Sequence, residues 1–316
     1  MPLHPQAVEF LRYAAGQPKL HTLTPEQARA ALEAGAATIG DGPHIEAVTD
    51  LAVAVPDGTV PVRAYRPANP GAAVVWLHGG LWVAGGLATH DAMCRALADA
   101  AQAIVVSVDY RLAPEHPFPA PLDDCWEALR WAAAMHPSLP LVVGGDSAGA
   151  NMAAVCAVRA RDRGGPAPAL QVLVYPMTDA AMDTPSYAER GGDDTLLGAK
   201  DVVWSYDHYA PVGVDRADPE VSPLRAPDLA GVAPAIVLTD EYDPLRDEGR
   251  AYATRLRDAG VAVTEHRYDD MMHAFFQFVN VFARADEAVA QVGAEIAAAT
   301  GAAQSETAVA TSASHG

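Results

Sequence analysis

The chain has 316 residues, 50% of them hydrophobic and 19% charged, enough apolar side chain to build a large buried core. Its formal net charge of -19 argues against nucleic acid or an anionic membrane as partners, because either would be repelled. Cys94, Cys125 and Cys156 are odd in number and widely separated in apolar surroundings, the pattern of packing thiols rather than of disulfides or a catalytic thiol. The start, Met1-Pro2-Leu3-His4-Pro5-Gln6, lacks the basic-then-apolar pattern of a secretory signal. No apolar stretch is long enough to span a bilayer, so a cytoplasmic protein is expected.

In chain order, residues 5–40 predict two amphipathic helices separated by Gln17-Pro18-Lys19, the second opening at Thr24-Pro25-Glu26-Gln27 with a good N-cap and proline at N1. Val48 to Arg66 alternates around Pro56-Asp57-Gly58 and predicts an antiparallel hairpin. Strands are then predicted at 73–77, 104–109, 141–144, 170–175, 235–239 and 261–268, with helices at 90–101, 122–135, 148–161 and 245–259. Apolar runs without strict alternation suit strands buried on both faces, and alternation of strand with helix suggests a mostly parallel sheet. The stretch from about Ala180 to Val214 breaks the rhythm and carries Trp204, Tyr206, His208 and Tyr209 on a candidate helix, as an insertion above the sheet. From about Ala299 the chain is small and polar, the composition of a disordered tail.

Chemistry-bearing residues follow the predicted strands. Gly145-Asp146-Ser147-Ala148-Gly149 stands between a β-branched run and an alanine-rich helix former, the layout of a nucleophile elbow that projects Ser147. His78-Gly79-Gly80-Leu81-Trp82 ends the first buried strand, where the N–H groups of Gly80 and Leu81, with that of Ala148, would form an oxyanion site. His78 itself would hold that loop. After the fifth buried strand come Asp240, Glu241, Asp243 and Asp247, and spacing alone leaves the choice of an orienting acid open. His273 lies beyond the last strand. A lone histidine among apolar residues is more often structural, but its position completes the order Ser, Asp, His expected of this chemistry.

Together these segments resemble the hormone-sensitive-lipase-like family of α/β-hydrolase esterases. The resemblance is carried by His78-Gly79-Gly80 with Trp82, Asp109-Tyr110-Arg111-Leu112-Ala113-Pro114-Glu115, and Gly145-Asp146-Ser147-Ala148-Gly149 with Asn151. Tyr175-Pro176, Asp243-Pro244-Leu245-Arg246-Asp247 and His273-Ala274-Phe275 complete it. It implies the α/β-hydrolase fold, a mostly parallel sheet flanked by helices, with a helical cap. Residues 1–45 would supply cap helices, 46–298 the catalytic domain with the insertion at about 180–214, and 299–316 the tail. It also implies a Ser147, Asp243, His273 triad acting on short- to medium-chain acyl esters without cofactor. Dimerisation through an outer strand is common in such proteins, although no residue here requires it.

Two departures stand out: Leu81 occupies the place of a usual third glycine, and Ala150 replaces another. A bulky residue before Trp82 is also found in arylformamidase relatives, which makes an amidase the nearer alternative; a non-catalytic ligand receptor is the more distant one. Trp82, Trp204 and Tyr206, with Tyr209, would either shape a substrate pocket or pack the cap onto the body. The eleven histidines show no H-x-H or H-E-x-x-H spacing, so no metal is expected.

Overall fold

The computed structural model describes residues 1–301. Among them, strands β1 (Ala47–Val55), β2 (Gly58–Arg66), β3 (Ala72–Leu77), β4 (Ala103–Val108), β5 (Leu141–Asp146), β6 (Leu170–Val174), β7 (Ala235–Tyr242) and β8 (Val263–Met272) form one sheet, in the order β1-β2-β4-β3-β5-β6-β7-β8. The predicted hairpin is β1–β2, turning through Pro56-Asp57 with Val55 opposite Gly58. β2 joins β4 antiparallel, and the remaining pairs are parallel.

The apolar runs of β3 to β6 form strands because both sheet faces are covered. Val75 and Leu77 point into a core shared with α4 (Ala120–Met135), α5 (Ala148–Arg163) and α8 (Arg246–Asp258). Val74 and Trp76 point the other way, into a core shared with α3 (Asp91–Ala101) and α9 (Ala283–Thr300). Each aliphatic side chain fully buried there contributes about 1.5–3 kcal/mol of transfer free energy. Cys94, Cys125 and Cys156 are free, buried members of these cores.

Both edges of the sequence reading needed extension. α9 is absent from the predicted elements, and it runs to Thr300, past the expected start of the tail; residues 302–316 lie outside the described residues. Gly293 weakens the helical signal of α9, but there a Cβ would collide with Ala100, so the glycine is what lets α9 pack closely on α3. β7 and β8 also outrun their predicted ends. β8 advances from Tyr268 to Met272 while β7 advances only from Asp240 to Tyr242, so an irregularity in the ladder brings the end of β8 level with the end of β7.

At the N-terminus, α1 (Pro5–Ala14) sets Phe10 against Phe278 and Phe282. α2 (Pro25–Ala36) opens on Thr24, whose hydroxyl accepts from the Gln27 N–H while the Gln27 side chain accepts from the Thr24 N–H. Between β6 and β7 the chain forms α6 (Pro185–Arg190) and α7 (Ala199–Tyr209). His21 bonds the Asp201 carboxylate of α7 through Nδ1 at 2.8 Å and through its backbone N–H at 2.9 Å. Lys19 Nζ reaches the Thr195 carbonyl at 2.7 Å, so the segment between α1 and α2 is fastened to this insertion. No helix among the described residues is long and apolar enough to cross a membrane.

Candidate active site

The parallel register decides what meets at the carboxyl ends of the strands. Leu77 stands opposite Gly145 and Asp146 opposite Val174, so the loop after β3 and the turn after β5 lie side by side. Ser147 sits in that turn at φ 56° and ψ -119°, a conformation that costs a non-glycine residue about 1–3 kcal/mol. Two things hold it there: its N–H donates to the Val174 carbonyl at 2.9 Å, and Asn151 on α5 ties the helix to the Met177 and Val221 carbonyls. Gly149 is required because any Cβ would run into the Leu77 carbonyl.

Ser147 Oγ is 3.0 Å from Nε2 of His273, and Nδ1 of His273 is 2.8 Å from Oδ2 of Asp243. All three side chains are buried. Oδ1 of Asp243 accepts the Leu245 N–H at 2.8 Å, which fixes the carboxylate at the mouth of α8. Of the four acids left open by spacing, the structure therefore puts Asp243 on the imidazole. Glu241 instead pairs with Arg190, Arg246 and Arg250, Asp247 pairs with Arg246, and Asp240 is buried behind Asp243.

The loop after β3 carries Gly80 at φ 122°, Leu81 at 62° and Trp82 at 59°. Among the described residues the N–H groups of Gly80 and Leu81 have no protein acceptor. The third-glycine position thus does demand a left-handed backbone, and Leu81 adopts it at a cost of about 1–2 kcal/mol while burying its side chain in the core. Ala148, first residue of α5, is fully buried beside it. His78 holds the loop: Nδ1 is 2.8 Å from the Gly79 carbonyl, and the ring stacks on Tyr110 at 4.1 Å. Burial, reinforced by neighbouring His90, pushes His78 down to about 3, so it stays neutral. Arg29 of α2 clamps the same loop from outside, donating to the carbonyls of Val83 and Ala113.

Two partnerships were not legible in the motifs. Asp146, inside the elbow, receives Trp76 Nε1–H and faces His90 Nε2, each at 3.2 Å, and lies directly under Gly79. Burial pushes this carboxyl up, but His90 and Trp76 outweigh it and hold it below its usual range. His90 Nδ1 is 2.9 Å from the Thr89 hydroxyl, which bonds both the N–H and the carbonyl of Gly86. In sequence His90 looked only like the start of a helix. Glu248 of α8 accepts from the Thr178 N–H at 2.6 Å and the Tyr187 hydroxyl at 3.0 Å, and burial pushes it up to about 8.

The aromatic residues divide. Trp82 stacks on Tyr209 with centroids 4.2 Å apart and tilts against Tyr206 at 5.1 Å, all three fully buried. Trp204 does not join them: one face of α7 carries Tyr206 and Tyr209 inward, while Trp204 is half-buried and meets His208 edge-on at 4.8 Å.

The chain and its fold resemble known proteins. The family described as alpha/beta hydrolase fold matches residues 74–277. Carboxylic ester hydrolase LipN of Mycobacterium tuberculosis is 46% identical over 249 residues, 74% of this chain and 66% of that protein. An ethyl acetate hydrolase of Pseudomonas putida is 40% identical over 300 residues, 91% of this chain and 94% of its own. An ester hydrolase from the metagenome of Lake Arreo, solved with a bipyridine phosphonate derivative, superposes with a TM-score of 0.89 at 38% identity, covering 95% of this chain and 99% of that one. With a sheet of this order, a serine on a strained turn after β5 and matches of this extent, the chain belongs to the hormone-sensitive-lipase-like family of α/β-hydrolase esterases.

Proposed function

We propose that the protein is a serine carboxylesterase that hydrolyses short- to medium-chain acyl esters of small alcohols through an acyl-enzyme. The observation that carries this reading is the continuous hydrogen-bonded line from Ser147 Oγ through His273 to Asp243. Ser147 attacks the ester carbonyl as His273 Nε2 takes its proton, and Asp243 holds the imidazole in the tautomer that leaves Nε2 free to accept. The N–H groups of Gly80, Leu81 and Ala148 receive the oxyanion, supported by the absence of competing acceptors for the first two among the described residues. His273 then protonates the departing alcohol, water enters along the same path, and the acid is released. The imidazole must be uncharged to act as base, so kcat/KM falls on the acid side.

On this reading α1, α2 and the α6–α7 segment act as a cap over the catalytic body. The His21–Asp201 and Lys19–Thr195 bonds and the Arg29 clamp support it. The fully buried Trp82, Tyr206 and Tyr209 stack would then pack this cap onto the body beside the site.

Mass spectrometry after treatment with a fluorophosphonate tests the reading. A single adduct on Ser147, with turnover of p-nitrophenyl butyrate exceeding that of the matched anilide, is the expected result. Ser147→Ala should lower kcat on the order of a million-fold. Near-parent hydrolysis by that variant would end the assignment.

A further inference from the structure

Asp240 presents a physical anomaly. Its carboxyl is fully buried at the end of β7, yet neither oxygen accepts a hydrogen bond from any protein N–H or hydroxyl among the described residues. Its charged neighbours are the carboxyl of Asp243, within side-chain hydrogen-bonding reach, and, farther off, the Arg250 guanidinium and Glu241. Two buried carboxylates in contact, with no donor between them, would face uncompensated repulsion as well as desolvation, so one of the pair must carry a proton. Which one is decided by the other contacts. Asp243 already receives the Leu245 N–H on Oδ1 and faces His273 Nδ1 with Oδ2, both at 2.8 Å. Asp240 has no such partner.

We propose that Asp240 remains a neutral carboxylic acid and donates its O–H to Asp243, so that His273 is held by a carboxyl–carboxylate pair bearing one negative charge. This rests on the esterase reading above and makes Asp240 a positioning residue. The other groups around it do not displace the assignment. Arg250 of α8 favours the charged form but lies 3.6 Å from Glu241, which shares its charge. Glu241 on β7 disfavours it. Tyr175, after β6, is a neutral phenol pushed far up, chiefly by burial. Burial and the Asp243 charge together hold the Asp240 proton well above the usual carboxylate range.

The O–H bond spreads the negative charge of Asp243 and so weakens its pull on an imidazolium at 273, while keeping the carboxylate turned toward Nδ1. Two substitutions separate this from a merely structural role. Asp240→Asn replaces an O–H donor by an N–H donor and should leave kcat/KM within about twofold and the acid limb of its pH profile unmoved. Were Asp240 ionised, the same change would delete a negative charge near His273 and move that limb to lower pH, which overturns the proposal. Asp240→Leu removes the donor and should cost about tenfold in kcat and shift the acid limb upward by about half a unit. An Asp240→Leu enzyme with unchanged kcat and pH profile also overturns it.

A measurement on the wild type covers the case of a variant that does not fold. With aspartate carrying ¹³C at the side-chain carboxyl, infrared spectra at about pH 8 should retain one protonated-acid carbonyl band, far above the ordinary aspartate value of about 3.9. Its absence refutes the proposal, and the labelling keeps Glu248 silent. Fluorophosphonate labelling distinguishes the two levels: a wild type without a Ser147 adduct undoes the esterase reading, whereas a labelled wild type with the contrary Asp240 results undoes only this inference.

Discussion

Asp146 and Asp240 both lie buried near the carboxyl ends of parallel strands, and their surroundings drive them apart. The first stands one residue before Ser147 and the second three before Asp243. Asp146 meets Trp76 and His90 and is held below the usual carboxylate range; Asp240 meets no donor and is pushed well above it. Burial penalises both charges alike, so the donors facing each carboxyl decide its state. The floor under the loop after β3 is therefore organised by a hydrogen-bonded charge and, on the proposal above, the support behind His273 by a shared proton.

The largest expected effect attacks the supporting side directly. Asp243→Asn keeps the shape but stabilises the wrong imidazole tautomer, and kcat should fall about ten-thousand-fold with KM little changed. A loss below tenfold would mean that another acid, Asp240 included, can take over. On the floor side, His90→Phe strips a partner from a buried carboxylate and should lower stability by about 3–5 kcal/mol, measured by denaturant unfolding. Asp240→Asn should cost under about 1 kcal/mol in the same assay, because a neutral acid is replaced by a neutral amide. Equal losses in the two variants would erase the contrast.

Glu248 extends the comparison to pH. Folded Glu248 keeps its proton up to about 8, whereas in the unfolded chain a glutamate releases it near about 4.3. Between those values the unfolded state binds fewer protons than the folded one, so stability falls as pH rises, by up to about 1.4 kcal/mol per unit. Glu248→Gln can still accept from Thr178 and meet Tyr187, and it should flatten this fall relative to wild type. Parallel curves for the two proteins would show that the Glu248 carboxyl is already ionised in the fold. A comparably small effect belongs to Leu81→Gly. Relief of about 1–2 kcal/mol of backbone strain opposes the loss of about 1.5–3 kcal/mol from a buried leucine, so unfolding should shift by roughly 1 kcal/mol. A loss well beyond that would mean Leu81 packs the oxyanion loop more firmly than its backbone strain suggests.

Much of the fold was readable because its signals are local. The β-branched runs at 73–77 and 141–144 and the N-cap at Thr24 each depend on residues close in the chain, and each lies where the sequence predicts it. α9 escaped notice because Gly293 interrupts its pattern, and the reason for that glycine, Ala100 on α3, lies far away in sequence. Ser147, Asp243 and His273 could be nominated because each follows a strand, and parallel strands deliver their carboxyl ends to one rim.

What the sequence determined by itself, then, was the strands, most of the helices and the candidates at their ends, because periodicity, caps and turn residues act over a few positions. Only the tertiary structure decided that Trp204 stays apart from the Trp82 stack and that Asp146 has donors where Asp240 has none. Those outcomes depend on strand register and on side chains from distant segments, and the charge on a buried group is set by whichever partners the fold brings to it.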